Sequence, residues 1–466
     1  MTTHRLDYIS AKMEEFPDLP REVFFKEDLL RLGLSLGDAL RAGGGTLSQP
    51  GRNDVAPQDD AQAYQEKSYF IFSFDRTPIT GMAQQENLRA PEEIALTGGP
   101  FGLRRTIVSV RLNPASPYLL GRAPEGEDSG YALWLDGQLV ARVELPPKPA
   151  HYGRMLASGK PVVEIAPVIE WGYLIYLTAF RRCQYVGTDQ ECRFCDINAN
   201  FDQQRAAGRV YTTVKDVEEI IEALDMIASA DTRAKAYTLT GGSVTSQLRG
   251  QSESDFYLRY AQAIEAKYPG RWIGKAVMQA MPAEQLRPFR DAGIRIYHPN
   301  YEVWDEKLFA WLCPGKSSYI GRQTWIDRIL GAREVFGAAN VIPNFVGGVE
   351  MARPHGFANV EDAVRSTGAG LDFFMSHGIT PRFTTWCPEP LSDLLRGELQ
   401  EPAPLDYHLR LLQTYRDTLA KHKLAPPPGY GAPGAGNAVF SVSAFMDVLP
   451  ASPPEAVQSH ASAAKS

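Results

Sequence analysis

The sequence is poor in cysteine, with five in 466 residues. So few thiols in a chain of this length exclude a disulfide framework as the source of its stability. Charge of one sign is not concentrated either. The formal net charge is −7, and no run of five or six like charges occurs. The basic patch that phosphate binding needs is therefore missing, and no nucleic-acid partner is expected. No stretch reaches about 18 consecutive apolar residues, so no membrane span is expected. The opening "MTTHRLDYISAKMEEFPDLP" has no apolar signal core, and the expected location is cytoplasmic. The chain carries no phosphate loop, dinucleotide fingerprint or internal repeat.

What is present is an ordinary apolar fraction of 44%, enough for a sizeable core, in a length that suits one large and one smaller domain. Residues 1–160 read as an α+β region of unassigned role. A helix is expected over 21–42, a loop over 43–66, and strands in "SYFIFSF", "RTIVSVRL" and "YALWLDGQLVARVEL". Asp136-Gly137 between two alternating runs is a hairpin signal.

From 161 to 424 strands and helices alternate. Strands are expected at 173–180, 236–240, 272–278, 294–298, 341–346 and 380–385. Helices are expected at 213–228, 253–267, 283–291, 359–377 and 404–423, with a helical stretch reaching Phe336. Thr213 and Asp216 offer a capping box to the first helix. Six strand–helix units imply a parallel α/β sheet that curves without closing, a partial (βα)6 TIM-like barrel. Residues 425–466, rich in Pro, Gly, Ala and Ser, read as a flexible, disordered tail.

Three of the five cysteines stand in "FRRCQYVGTDQECRFCDINAN" as C-x8-C-x2-C. Cys183, Cys192 and Cys195 follow the first barrel strand, on the edge where α/β sites form. Three thiolates on one loop suit a soft metal centre. An iron–sulfur cluster, a zinc site and a structural clip all remain open from spacing alone. Cys313 and Cys387 lie far away in sequence and read as small buried residues or cavity-facing thiols. After the second strand, Gly241-Gly242-Ser243 lets the backbone come close to a neighbour.

Together these residues resemble the radical S-adenosylmethionine (radical SAM) superfamily over roughly 170–390, closest to its biotin-synthase-like branch. The resemblance implies that Cys183, Cys192 and Cys195 hold a [4Fe–4S] cluster. S-adenosyl-L-methionine would chelate the cluster's open iron. Phe194 would lie against the adenine, and Gly241, Gly242 and Ser243 would meet the methionine amino group. Glu302, beyond strand four, would face the ribose or methionine. Gly347, Gly348 and Glu350, beyond strand five, match the motif that packs on adenine. Two features depart from the family: its usual first gap is three residues, and many members carry Glu where Ser243 stands. The implied activity is reductive cleavage of S-adenosylmethionine to a 5′-deoxyadenosyl radical, which abstracts hydrogen from a small-molecule substrate. An electron donor such as flavodoxin or ferredoxin is the implied partner. Two spare cysteines are too few for a second four-cysteine cluster, and no cobalamin signature is present. Substrate contacts are expected from Tyr297, His298, Asn300, Arg353, His355 and Arg382. The alternatives are a zinc-dependent α/β-barrel enzyme using a histidine such as His298, and a metal-clipped interaction protein.

Overall fold

A computed structural model describes residues 5–37 and 91–451, with short gaps at 114, 125–129, 207, 209–210, 231–232 and 398. The N-terminal region contains α1 (Arg5–Glu15), α2 (Arg21–Leu32), β1 (Ser35–Leu36), β2 (Glu93–Gly98), β3 (Leu103–Ser109), β4 (Tyr118–Arg122), β5 (Tyr131–Leu135) and β6 (Gln138–Glu144). Its strands form one sheet in the order β1-β4-β5-β6-β2-β3. Asp136 and Gly137 take φ of 49° and 77°, the paired left-handed conformation of a tight hairpin turn. The helix expected over 21–42 stops at Leu32, where Gly33 turns the chain at φ 71°. The expected loop at 43–66 and the strand at 68–74 lie outside the described residues.

The second region runs through α3 (Val162–Ile165), β7 (Val168–Ile169), β8 (Leu174–Phe180), α4 (Ile197–Ala206), α5 (Val217–Ala230), β9 (Ala236–Gly241), α6 (Glu253–Lys267), β10 (Ile273–Val277), α7 (Ala283–Asp291) and β11 (Ile294–His298). It continues through α8 (Glu306–Leu312), α9 (Pro314–Tyr319), α10 (Arg322–Phe336), β12 (Asn344–Gly347), α11 (Val360–Ser376), β13 (Arg382–Thr385), α12 (Asp393–Gly397) and α13 (Leu405–Lys421). Strands β8 to β11 pair in parallel and in chain order. Strand β7 adds an antiparallel edge, and β12 pairs in parallel with β13. Parallel bridges Tyr297–Val341 and Glu302–Phe345 carry the series from β11 to β12.

Helix periodicity explains most of these boundaries. Helix α5 buries Ile220, Ala223, Leu224 and Ile227 at three- and four-residue spacing. It begins at Val217, so Thr213 stands outside it and the expected capping box does not form. Helix α6 starts where Ser252 accepts from the Asp255 N–H, an N-cap. Tyr176, Thr238, Val277, His298, Asn344 and Arg382, one from each of β8 to β13, line one interior cavity. Six parallel strands thus wrap a common interior without closing, which is the expected partial barrel.

The open side is covered by residues that the sequence reading assigned to a loose tail. That expectation is corrected over 425–451, where Tyr430, Ala438, Phe440, Ala444, Phe445 and Met446 are buried; residues 452–466 lie outside the described set. Ser441 O accepts from the Ser109 N–H of β3 at 2.9 Å, and Val442 O accepts from the Thr385 N–H of β13 at 3.0 Å. The segment therefore bridges the N-terminal sheet to the last barrel strand. Helix α2 fastens it. Lys26 Nζ donates to Phe440 O at 2.6 Å and to Asp447 at 2.7 Å. Glu27 accepts from the Ala444 N–H at 2.6 Å and from the Thr385 hydroxyl at 2.6 Å. Its Pro and Gly residues prevent regular helix or strand, and burial and side-chain hydrogen bonds order the segment instead.

Lys26 and Asp447 are both fully buried, and removing one partner strands the other charge. Asp447→Ala should lower the unfolding free energy by about 3–5 kcal/mol in urea titration. A loss below about 1 kcal/mol, the range of an exposed pair, would show that the cover is not fastened there.

Candidate metal and cosubstrate site

The cysteine loop leaves the C-terminal end of β8 and is pinned from several sides. Asn198, on α4, accepts from the Cys183 N–H at 2.8 Å and donates to Tyr185 O and Glu191, both at 3.0 Å. Gln184 accepts from the Thr245 and Ser246 N–H groups at 2.8 and 3.1 Å. Tyr185 donates to Gln279. The far side of the loop rests on α8 and α9. Arg193 N–H donates to Leu312 O at 2.8 Å, and Gly315 N–H donates to Gln190 O at 3.1 Å. The eight-residue gap is thus an ordered excursion that packs on the α8–α9 junction.

Cys183, Cys192 and Cys195 all line one cavity of about 410 Å³. Among the described residues, no three His, Cys, Asp or Glu side chains form a group that could hold a single metal ion. Burial, and then the Cys192 sulfur, push the Cys183 thiol up to about 11. Cys192 is pushed up by its hydrogen bond with Cys313 and by burial. Cys195 is pushed up by burial and by Asp196. These shifts report burial and crowding of the thiols. The donor types, three thiols from one strand-end loop on one cavity, suit a soft metal–thiolate centre such as an iron–sulfur cluster. Cys313 is buried behind Cys192, despite a separation of 121 positions in sequence (313 − 192), while Cys387 lines the cavity.

The glycine turn lines the same cavity through Gly241, Gly242 and Ser243. Its glycines serve the cysteine loop. A Cβ on Gly242 would land inside the Arg182 carbonyl and 2.5 Å from the Cys183 Cα. A Cβ on Gly241 would meet Phe180 O and the Tyr257 hydroxyl at 2.5 Å. The Ser243 N–H points at Cys183 Sγ at 3.3 Å, and Ser243 O accepts from the Gln184 N–H at 2.9 Å. The close approach read from the sequence is thus to protein backbone.

Glu302 and Phe194 also line the cavity. Glu302 sits at φ 78°, a conformation that side chains avoid, held by the Asn344 and Phe345 neighbourhood of β12. Its carboxylate accepts from Lys316 Nζ at 2.6 Å. Lys316 also reaches Asn300 O at 3.2 Å and lies 4.8 Å from the Trp325 ring centroid. Burial opposes its charge, but Glu302 and the sulfurs of Cys192 and Cys313 outweigh burial and raise the ammonium above its ordinary range.

The strand-five residues are not brought there. Gly347 and Gly348 do not line the cavity. Glu350 is buried and accepts from the Gly348 N–H at 2.8 Å and from the Thr367 and Tyr407 hydroxyls. Its expected place beside a cosubstrate is corrected: its oxygens are used in fixing α11 and α13 to the turn. Of the proposed substrate contacts, His298, Asn300 and Arg382 line the cavity. Tyr297 instead donates to Gln279 O in the core. His355 packs edge-on against Trp311, and Arg353 binds Gln400 through its backbone. His298 is held between Ile342 and Tyr430. Its Nδ1 lies 2.8 Å from Ile342 O, its Nε2 lies 3.3 Å from the Tyr430 hydroxyl, and burial holds it neutral.

Sequence reasoning missed Lys316, Glu253, Gln279 and Glu170 as cavity residues. Only Lys316 left a local signal, in Cys313-Pro-Gly-Lys, where Gly315 permits contact with Gln190 and Tyr185.

No family model and no curated protein matches this chain. Among solved structures, 55% of it aligns with 52% of HydG, a maturase of the [FeFe]-hydrogenase, at 15% identity and a TM-score of 0.37. It aligns over 57% of its length with 75% of methylornithine synthase (PylB), at 12% identity and 0.37. It aligns over 54% with 52% of coproporphyrinogen III oxidase (HemN) from Escherichia coli, a radical SAM enzyme, at 11% and 0.32. The chain thus spans about half the length of HydG.

Gly242→Ala should displace the loop backbone. The expected result is a lowered melting temperature together with faster labelling of Cys183 by an alkylating reagent. Unchanged labelling and melting would show that the turn yields without moving the loop.

Proposed function

We propose that the chain is a radical SAM enzyme acting on a small molecule, with Cys183, Cys192 and Cys195 as the three thiolate ligands of a [4Fe–4S] cluster. One observation carries this reading: three thiols from one strand-end loop line the interior cavity of a six-stranded parallel partial barrel, beside a glycine turn packed on that loop. When bound, such a cluster supplies an electron to the sulfonium of S-adenosylmethionine, giving the 5′-deoxyadenosyl radical that takes hydrogen from the substrate.

The chain's own residues prepare that chemistry. The Ser243 N–H aimed at Cys183 stabilises thiolate charge. Gly241, Gly242 and Ser243 line the cavity beside the thiols, where the amino group of a cosubstrate would meet the turn, and Phe194 offers a ring face to adenine. Glu302, fixed by Lys316, offers an acceptor to ribose or methionine. The biotin-synthase-like likeness rests on Glu302 alone, since Gly348 and Glu350 lie elsewhere. The cover formed by residues 440–442 keeps water from the barrel interior. Electrons would come from a flavodoxin- or ferredoxin-like donor.

Anaerobic reconstitution of the wild-type protein should give a brown species with a broad band near 400 nm and four irons with matching sulfide. Cys183→Ala, Cys192→Ala and Cys195→Ala should each lose it, and Cys387→Ala should keep it. With dithionite and S-adenosylmethionine the loaded protein should form 5′-deoxyadenosine. Full iron loading in Cys183→Ala would sink the assignment. Iron loss in Cys313→Ala would replace the three-thiolate set with four thiolates and close the open iron.

A further inference from the structure

The cavity has a second polar region, away from the thiols, on the barrel interior beside the cover. Arg382 on β13 and Asn344 on β12 are register partners, so their side chains rise from adjacent strands about 5 Å apart. Both line the cavity. Buried Arg382 Nε and buried Asn344 Oδ1 each lack a hydrogen-bond partner, as do Glu170 Oε2 and Trp386 Nε1, which line it too. Buried polar atoms in folded proteins are nearly always paired. Three of them, on Arg382, Asn344 and Glu170, stand at the N-terminal ends of β13 and β12 and in the turn before β8, and mark a place in the cavity where a ligand supplies the partners.

Glu170 is the most unusual of them. It and Trp171 form the turn between β7 and β8 with φ of 55° and 58°, a conformation normally given to Gly, Asn or Asp. The turn is forced by Glu93, whose carboxylate accepts from the Glu170 and Trp171 N–H groups at 2.7 and 2.8 Å. The Glu170 carboxylate is thereby held inside, 3% exposed. It feels the charges of Lys275 and Arg382, yet among the described residues no ion pair joins it to either. Lys275 is also buried, with its ammonium 4.1 Å from the Tyr430 ring centroid. Glu170 and Arg382, of opposite charge and with no ion pair between them among the described residues, line the same cavity and leave room for a molecule that carries both signs. A plain carboxylic acid would leave Glu170 and Asn344 Oδ1 unpaired, and a plain amine would leave Arg382 Nε unpaired.

We infer that this region binds the amino-carboxylate end of a small zwitterionic substrate, with the carboxylate on Arg382 and the ammonium on Glu170 and Asn344. The rest of the molecule then runs through the cavity toward the thiols. This deepens the proposed radical chemistry by naming its substrate class, and it rests on that reading only for what happens after binding. Cluster-free binding tests it separately. Burial, together with the facing Glu93 charge, raises the Glu170 carboxyl to about 7, against the opposing pull of Lys275 and Arg382. A ligand ammonium adds to that pull and favours the ionised form.

The test is isothermal titration of the full-length apo protein with a panel of free L-amino acids. Each is paired with its N-acetyl and C-amide derivatives, and S-adenosylmethionine is titrated as a competitor. At least one free amino acid should bind at millimolar or tighter affinity. Its blocked derivatives should bind about tenfold more weakly or worse, each having lost one charge-assisted contact. Arg382→Gln and Glu170→Gln should weaken binding by a similar factor, with Arg382→Lys recovering part of it, in proteins whose melting temperature shows they are folded. Three results would overturn the inference: no free amino acid binds, the blocked forms bind equally well, or S-adenosylmethionine displaces the amino acid competitively. Loss of 5′-deoxyadenosine formation with amino-acid binding intact would instead remove the radical reading and leave this site standing.

Discussion

The six parallel strands of this barrel do not close, and much else in the structure answers that constraint. The sheet from β8 to β13 leaves one edge and one side of its interior to be covered by other segments. An open edge is unpaired backbone, and an open interior is solvent-filled. Here Ser441 and Val442 take up backbone donors of β3 and β13, and Lys26, Glu27 and Asp447 hold that segment by buried charge-assisted bonds. The N-terminal sheet and the C-terminal segment are therefore parts of the barrel's wall. Their buried charges stabilise only as a set, since each one left alone would carry its full desolvation cost.

The same logic governs the thiol end of the cavity. The cysteine loop is long because it must reach the α8–α9 junction, where Gly315 receives it and Lys316 turns back to Glu302. Gly242 then lets the next loop close over the Arg182–Cys183 backbone. The consequence is a set of thiols whose positions are fixed by neighbours on four different elements, which is the preorganisation a metal–thiolate centre requires. The apolar walls around Tyr185, Trp325 and Val346 make each charge in the cavity more strongly felt than it would be in water.

Function in this reading is a division of one cavity between two ends. Thiols and backbone edges occupy the strand C-termini. Charged and amide side chains occupy the lower interior, next to the cover. Such a layout orients a substrate from both ends and excludes water between them, and excluding competing hydrogen donors is what radical chemistry asks of a protein.

The order of strands and helices was written locally in the sequence, because amphipathic spacing and caps depend on residues a few positions apart. Helices α6 and α7 and strand β11 fall within the expected bounds for that reason, as does the Asp136-Gly137 hairpin. The cysteine loop and the glycine turn were equally legible as strand-end features, and both line the cavity. What the chain's linear order did not carry was contact between distant segments. Glu350 reads like a cosubstrate ligand, yet it is spent on Thr367 and Tyr407. Lys26, Glu27 and Asp447 stand in stretches with no local mark of charge burial, and all three are buried. Residues 425–451 read as loose because Pro and Gly forbid regular elements, while their order comes from burial against α2, β3 and β13. Glu170, Asn344 and Arg382 are scattered over three strands or turns, and only the curvature of the sheet makes them neighbours. Sequence determined which elements form, since that is local physics; tertiary structure decided which polar groups meet, since pairing a buried charge depends on whatever the fold brings beside it.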